Sequence, residues 1–337
     1  MKRRSLMLWV AVPILLVGVA IGLLSLDHRL FVNRPLPPNT SEPYFEIPRG
    51  ASLRQIAEQL VAEGYLTEPY RFLALAHLSG HAGRLKAGEY AWGEGTTPRA
   101  LLERLTTGRV VQHSITLVEG WTFRRVRDAL AVDERLTGEL AQLTDQQIMA
   151  RLGRPDQHPE GLFFPDTYLF TRGTPRIQIL QRSLERMDQV LAEEWARRTP
   201  DLPLATPYEA LILASIVERE AALASERAEI AGVFVRRLRI GMRLQADPTV
   251  VYGLGDEFEG RLRRVHLRDD NPYNTYVRAG LPPTPIALPG RAAIAATLDP
   301  ADGETLYFVA RGDGSHHFSR TLSEHNQAVR RYILGQE

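Results

Sequence analysis

The chain has 337 residues, with 41 Lys and Arg against 40 Asp and Glu, and no Cys. That length allows two domains of roughly 100–200 residues each, and a composition 44% apolar and 24% charged excludes a disordered or collagen-like chain. A net charge of +1 removes any global electrostatic case for nucleic-acid binding, and the lack of Cys removes disulfides, thiolate metal sites and a Cys nucleophile.

Residues 1–5 read M-K-R-R-S, and an uncharged, mostly apolar run follows over 6–26. As a helix that run measures about 31 Å, enough to cross a hydrocarbon core of ~30 Å. Lys2, Arg3 and Arg4 keep the short tail 1–5 in the cytoplasm and place the rest outside. A cleaved signal peptide has a shorter apolar core and ends in a small-x-small site. Leu23-Leu24-Ser25-Leu26 offers no such site, so the run reads as an uncleaved single-pass anchor in the plasma membrane, which is the inner membrane of a Gram-negative cell. Residues 27–43, with four prolines between Arg34 and Pro43, read as a stiff spacer.

Residues 47–60 (IPRGASLRQIAEQL) and 117–130 (LVEGWTFRRVRDAL) align without gaps, sharing Gly50/Gly120, Arg54/Arg124 and Leu60/Leu130. Each predicts an extended stretch, a Gly, then a hydroxyl cap (Ser52, Thr122) and a helix. Ser52 with Gln55 has the spacing of a capping box. Residues 44–108 then form a strand–helix–helix–strand module, with 88–92 as the return strand and 97–105 as a following helix. Its size and pattern resemble a LysM-like glycan-binding module.

The second domain covers 109–337. Thr174-Pro175 has the form of a cap and first residue of a helix, with an apolar stripe at Ile177, Leu180, Leu184, Met187 and Leu191. Thr206-Pro207-Tyr208-Glu209 starts another helix, with cap, Pro and capping-box Glu, running to Ala222. Further helices are expected over 226–239, over a short turn capped by Asp247 and closed by Gly253, and over 322–332. A hairpin is expected around Arg311-Gly312-Asp313-Gly314. Helices and strands mix without βαβ alternation, so the fold class is α+β.

The 206–222 helix carries Glu218, with only Ala214, Ser215, Ala221 and Ala222 at three and four residues' distance and no charge from Ala210 to Val217. A carboxyl in such a setting loses hydration and gains proton affinity, as a general acid requires. A plain ion pair with an arginine such as Arg219 is the structural alternative. Glu220, with bulkier neighbours, reads as an ion-pair member. Asp247 and Asp166 are candidate second carboxylates, although a cap and a turn explain them equally. The polar, aromatic stretches 271–276 (NPYNTY) and 280–286 (GLPPTPI) suit sugar hydroxyls and ring faces, or a Pro-stiffened loop. His77 and His81 lack the Glu of an HExxH motif, and no complete metal set or cofactor motif is visible. His316 and His325 are candidates to touch substrate or orient the acid.

The motifs together resemble the YceG-like family of endolytic murein transglycosylases. The signatures are Glu160-Gly161 with Phe164-Pro165-Asp166-Thr167-Tyr168, Leu213–Glu220, Arg237–Val250, Asn271–Tyr276, Gly280–Ile286 and Gly314–Phe318. The resemblance implies a lytic enzyme that cuts the MurNAc-GlcNAc bond of nascent peptidoglycan strands and leaves 1,6-anhydro ends. It makes Glu218 the catalytic acid and base, and Ser215, Gln245, Asp247, Tyr252, Asn271, Tyr273, Asn274, Thr275, Tyr276 and His316 the candidate substrate contacts. No metal or cofactor is implied; glycan strands and cell-wall synthases are the expected partners. Two other readings remain: a membrane-anchored glycan-binding scaffold, and a hydrolytic muramidase using Glu218 with Asp247.

Overall fold

A computed structural model of the chain describes residues 2–37, 44–91 and 93–335, with side chains from Val12 onward. Part of the expected spacer (38–43) and Trp92 lie outside the described residues. The protein is α+β, mostly helical, with four two-stranded sheets among the described residues. It divides into two compact units, 1–113 with 170–172, and 114–169 with 173–337.

The first unit opens with α1 (Lys2–Asn33). From Val12 to Leu30 its large apolar side chains are exposed all round; Leu15 and Leu24 are 67% and 69% open. A helix that is apolar on every face is normally covered by protein or lipid, and this one is long and apolar enough to cross a membrane. Its end departs from the expected spacer. The helix continues past Leu26, Val32 and Leu36 are buried in the core of the module, and the Leu36 N–H donates to the Thr96 carbonyl. At least up to Leu36, the segment after the apolar run is part of the folded module.

That module is built from β1 (Tyr44–Ile47), α2 (Leu53–Ala62), α3 (Pro69–Leu78), β2 (Gly88–Ala91) and α4 (Pro98–Thr107). β1 and β2 pair antiparallel, Phe45 opposite Tyr90 and Ile47 opposite Gly88. β1 buries Phe45 and Ile47 and β2 buries Glu89 and Tyr90, and Phe45, Ile56, Leu60, Phe72, Tyr90, Leu101 and Leu105 fill the core. Ser52 and Gln55 form the reciprocal capping box that their spacing predicted. The carboxylate of Glu89, 4% exposed, accepts from Arg172 at 2.8 Å and pairs with His113. Burial alone would raise this carboxyl; the His113 and Arg172 donors outweigh it and hold it below its ordinary value.

The second unit contains all but the first residue of β3 (His113–Thr116), which pairs with β5 (Thr167–Phe170), of which it holds all but the last, and α5 (Phe123–Val132), β4 (Leu136–Thr137) and α6 (Asp145–Arg151) between them. β6 (Thr174–Pro175), α7 (Arg176–Ala196), α8 (Pro207–Glu220), α9 (Arg227–Arg239), α10 (Asp247–Leu254) and α11 (Arg291–Leu298) follow. The chain ends with the antiparallel hairpin β7 (Tyr307–Ala310) and β8 (His316–Ser319), then α12 (Leu322–Tyr332). α8 is the axis of this unit. Every residue from Ala210 to Val217 is buried, and α7, α9 and α11 pack around it.

The second copy of the repeat pattern has the same local form as the first. Gly120, like Gly50, has positive φ, and the Thr122 side chain caps α5 as Ser52 caps α2. Thr174 does not cap α7. Thr174 and Pro175 instead pair in parallel with Leu136 and Thr137, and the helix starts at Arg176 without a side-chain cap. At α8 the Thr206 cap and Pro207 stand as expected. The Glu209 carboxylate, however, takes the Ala205 N–H, so no reciprocal box forms. The helix stops at Glu220, two residues early.

Candidate active site

Glu218 sits in the last turn of α8, after the buried stretch Ala210–Val217 that fixes the helix. Its side chain is 6% exposed. One oxygen, Oε1, lies 3.2 Å from Nη2 of Arg227, the first residue of α9. The other, Oε2, accepts the Gly290 N–H at 2.9 Å, and Gly290 is the N-cap of α11. The uncharged setting expected from α8 alone is therefore corrected by tertiary structure. The arginine partner exists, but it is Arg227; Arg219 turns to the Gly120 carbonyl.

Two carboxylates that the sequence reading did not single out for chemistry stand in this unit. Glu119, in the loop before α5, places Oε2 3.8 Å from the same Arg227 Nη2. A Cβ on Gly290 would overlap the Glu119 carboxylate, which would have to turn aside. Burial and the charge of Glu218 raise the Glu119 carboxyl, against the pull of Arg227. Glu160, 3% exposed, accepts the Phe123 N–H at 2.9 Å and the Tyr252 hydroxyl at 3.1 Å. Burial pushes its carboxyl up to about 7. Both had a sequence signal: Glu119 lies in the second repeat copy and Glu160 opens the first signature.

A cleft of about 620 Å³ runs beside these groups, lined by Gly120, Trp121, Glu160, Arg219, Tyr252 and Tyr273 among others. Glu218 is not itself a lining residue; its chain neighbour Arg219 is, as is Gly120 next to Glu119. The Tyr252 and Tyr273 rings meet edge to face at 4.8 Å, which leaves apolar ring surface in a polar cleft. The Trp121 ring carries the Arg125 guanidinium at 4.6 Å.

The other sequence candidates separate by position. Ser215, Asn274 and Thr275 are buried and spend their polar atoms inside the fold. Ser215 Oγ donates to the Ile212 carbonyl and accepts the Ile286 N–H. Asn274 bridges His266, Asp269 and Tyr276. Thr275 Oγ1 accepts the Ala246 N–H and meets Thr249. These three spend their side-chain hydrogen bonds on the loops they hold. Asn271 is taken up by Gly253 and Tyr273 in a turn. Gln245 is exposed at φ +52, the left-handed region that a non-glycine residue enters at a cost. Asp247 is exposed and does not cap α10; it accepts the Tyr276 hydroxyl at 2.6 Å. Asp166 is exposed and accepts its neighbour's N–H just before β5, as a turn residue does.

His316 Nδ1 lies 2.7 Å from Glu226, whose carboxylate also takes the His316 N–H. Glu226 directly precedes Arg227, so His316 braces the segment that presents Arg227 to Glu218. His325 is stacked on Tyr307. Glu220 forms no ion pair among the described residues, contrary to its expected role. Burial, with the charge of Asp247, raises it to about 8, and Arg237 and Arg219 only partly offset this.

An α+β protein with an N-terminal apolar helix, a small βααβ unit and a near-buried carboxylate at the end of a core helix is a class that fold and site define together. The chain belongs to the YceG-like family, whose pattern matches residues 45–331. It is 31% identical over 304 residues to the endolytic murein transglycosylase of Bacillus subtilis (strain 168), covering 85% of this chain and 84% of that protein. It is 27% identical over 325 residues to the endolytic murein transglycosylase of Streptococcus pneumoniae serotype 2 (strain D39), covering 85% of this chain and 58% of that longer protein. The crystal structure of a YceG-like protein from Listeria monocytogenes superimposes with a TM-score of 0.55 at 28% identity, covering 85% of this chain and 98% of that one.

Proposed function

We propose that the protein is an endolytic peptidoglycan lytic transglycosylase with Glu218 as its acid and base. The observation that carries this reading is the placement of Glu218. It is held by Arg227 and the Gly290 N–H, between the cleft-lining Arg219 and the loop bearing Glu119 and Gly120, within a chain 31% identical to a protein named for that activity. Glu218 gives its proton to the oxygen bridging MurNAc and GlcNAc as the C1–O bond breaks. The muramic acid acetamido group supports the oxocarbenium-like centre. The sugar's C6 hydroxyl then bonds to C1 and returns its proton to Glu218, leaving a 1,6-anhydro end. The nucleophile is tethered to the electrophile, so its effective concentration is high and no water is needed. Arg227 and the Gly290 N–H are suited to stabilise the carboxylate in the interval between the two proton transfers.

Tyr252, Tyr273 and Trp121 are the ring surfaces for sugar faces, and Asp247 with Tyr276 and the exposed Gln245 are polar contacts at the rim. In this reading α1 is an uncleaved anchor with its basic end in the cytoplasm. The packing of Val32 and Leu36 into the module supports it, because the helix is continuous with folded core. The LysM-like unit then stands directly on the bilayer, and the second unit works on strands close to where synthases extrude them.

The test is product mass. Purified glycan strands digested by the protein yield anhydro ends, each lighter by one water than a reducing end. Reducing ends would mean hydrolysis, and intact strands would mean a scaffold without turnover.

A further inference from the structure

We propose that α3 lies on the outer surface of the bilayer that holds α1, with Tyr70 and Leu78 set into the lipid interface. The inference rests on the reading of α1 as an uncleaved anchor and extends it, by naming the face of the first unit that meets lipid.

The face is written in the spacing of α3. Phe72, Leu75 and Ala76 are buried in the module, and Tyr70, Arg71, Ala74, His77 and Leu78 are exposed. The exposed residues stand three and four positions apart and so form one stripe of the helix. Its two large members, Tyr70 near the start and Leu78 at the end, are 71% and 76% exposed. A single exposed Leu is ordinary on a protein surface; the place where α1 puts this stripe is what gives it meaning.

α1 meets the module at two levels. Val32 and Leu36 enter the core. The outer stripe of α3 touches α1 nearer the apolar run. Arg71 Nη2 lies 3.5 Å from Asp27 Oδ2, and its guanidinium stands over the Phe31 ring at 5.9 Å. At the other end of α3, Leu75 and Leu78 line one cavity with His28. Both ends of α3 are therefore at the level of residues 27–31, so the helix crosses α1 instead of running along it. Its buried side looks to the core at Val32, and its exposed side looks back toward the apolar run.

The depth follows from helix rise. The apolar run ends at Leu26. At ~1.5 Å per residue, His28 stands about 3 Å past that end and Phe31 about 7.5 Å. The headgroup layer on each side of a ~30 Å hydrocarbon core is about 5–7 Å thick. The contacts between α3 and α1 thus fall in or at the edge of that layer. A Tyr ring with its hydroxyl suits this depth, and an Arg can keep its stem in the apolar boundary and its head among phosphates. The lipid-facing surface of α1 is also continuous with this level, because Leu30, beyond Asp27, is 65% exposed. An anchor and a surface helix together fix the orientation of the first unit to the bilayer, which an anchor alone would leave free to rotate.

The chain has no Cys, so one introduced thiol is a unique label site. Full-length Tyr70→Cys, Leu78→Cys and Leu16→Cys, each shown to be folded by thermal unfolding, would carry a fluorophore on the thiol. They would be placed in phosphatidylcholine nanodiscs with bromines either near the headgroup or deep in the acyl chain. A helix in the interface sits about 5–10 Å into the headgroup and acyl boundary, so shallow bromines are expected to remove about half or more of the emission at 70 and 78. Aqueous iodide should quench those two labels at least about threefold less than the free dye, and deep bromines should act on position 16. Labels at 70 and 78 that iodide reaches freely and bromines do not, beside a lipid-quenched label at 16, would overturn the surface contact and leave the anchor standing. Labels shielded from iodide without bromine quenching would mean that protein covers the face, and would overturn it equally. A label at 16 that is cleaved off or untouched by bromines would remove the anchor, and this inference with it.

Discussion

The backbone N–H of Gly290 donates to Oε2 of Glu218 at 2.9 Å, joining residues 72 positions apart. A Cβ at Gly290 would meet only the Glu119 side chain, whose carboxylate end can move, so Gly290→Ala should turn Glu119 aside and leave the N–H on Glu218. We expect strand cleavage by Gly290→Ala to stay within about tenfold of wild type with the far-UV spectrum unchanged; a loss near the 10²-fold that a displacement of about 1 Å at reacting groups costs would show that the alanine moves the start of α11 itself.

Glu160 couples stability to pH. Its carboxyl is raised from 4.5 to about 7, by burial first, with the Phe123 N–H and the Tyr252 hydroxyl opposing. The folded protein keeps a proton that the unfolded chain has already released. The protonated fold is therefore fully stable below the unfolded value, and stability declines as pH rises through the folded value. The full span is about 3 kcal/mol. Melting temperature measured across that window should fall less in Glu160→Gln than in wild type. Parallel curves would remove Glu160 from the account.

Glu89 has the opposite sign. Its His113 and Arg172 partners hold the carboxyl below its ordinary value, so its contribution is present above the unfolded value and is lost as pH falls through the folded one. Glu89→Ala removes the buried acceptor that His113 and Arg172 share. Breaking a buried pair in this way costs roughly 3–5 kcal/mol. Hydrogen exchange should report that loss in β1 and β2.

Val32 tests the junction between α1 and the module. It is 1% exposed in the module core. Val32→Asp puts an unpartnered charge there and should destabilise the module by about 3 kcal/mol. A stiff spacer that packs against nothing would tolerate the change, and protease sensitivity of the first unit distinguishes the two.

Much of the fold was legible because its signals are local. The Ser52–Gln55 box, the Thr122 cap and the helix 322–332 each depend on a few neighbouring residues and appear where their pattern placed them. Thr174-Pro175 carried an equally good local signal and became a strand, because Leu136 and Thr137 offered it backbone partners. Asp247 likewise had a cap's position but is occupied by Tyr276. The site was legible only in part, for the same reason. The chain from Ala210 to Val217, leading into Glu218, is uncharged, so the sequence suggested a carboxyl set apart from other charges. Arg227, Glu119 and Gly290 reach it through tertiary packing of α8, α9 and α11, and no spacing along α8 encodes that. Ser215, Asn274 and Thr275 have the right chemistry for sugar contacts, but their polar atoms are consumed by the loops they hold.

The central claim concerns one proton on one side chain. Full-length wild type and Glu218→Gln, each shown to be folded by thermal unfolding, should be incubated with purified glycan strands and the products weighed. The account expects 1,6-anhydro ends from wild type and a rate lower by about 10²-fold or more from the variant, the size of a lost general acid, with Glu220→Gln still active. Normal cleavage by Glu218→Gln, or loss of cleavage in Glu220→Gln alone, would contradict it.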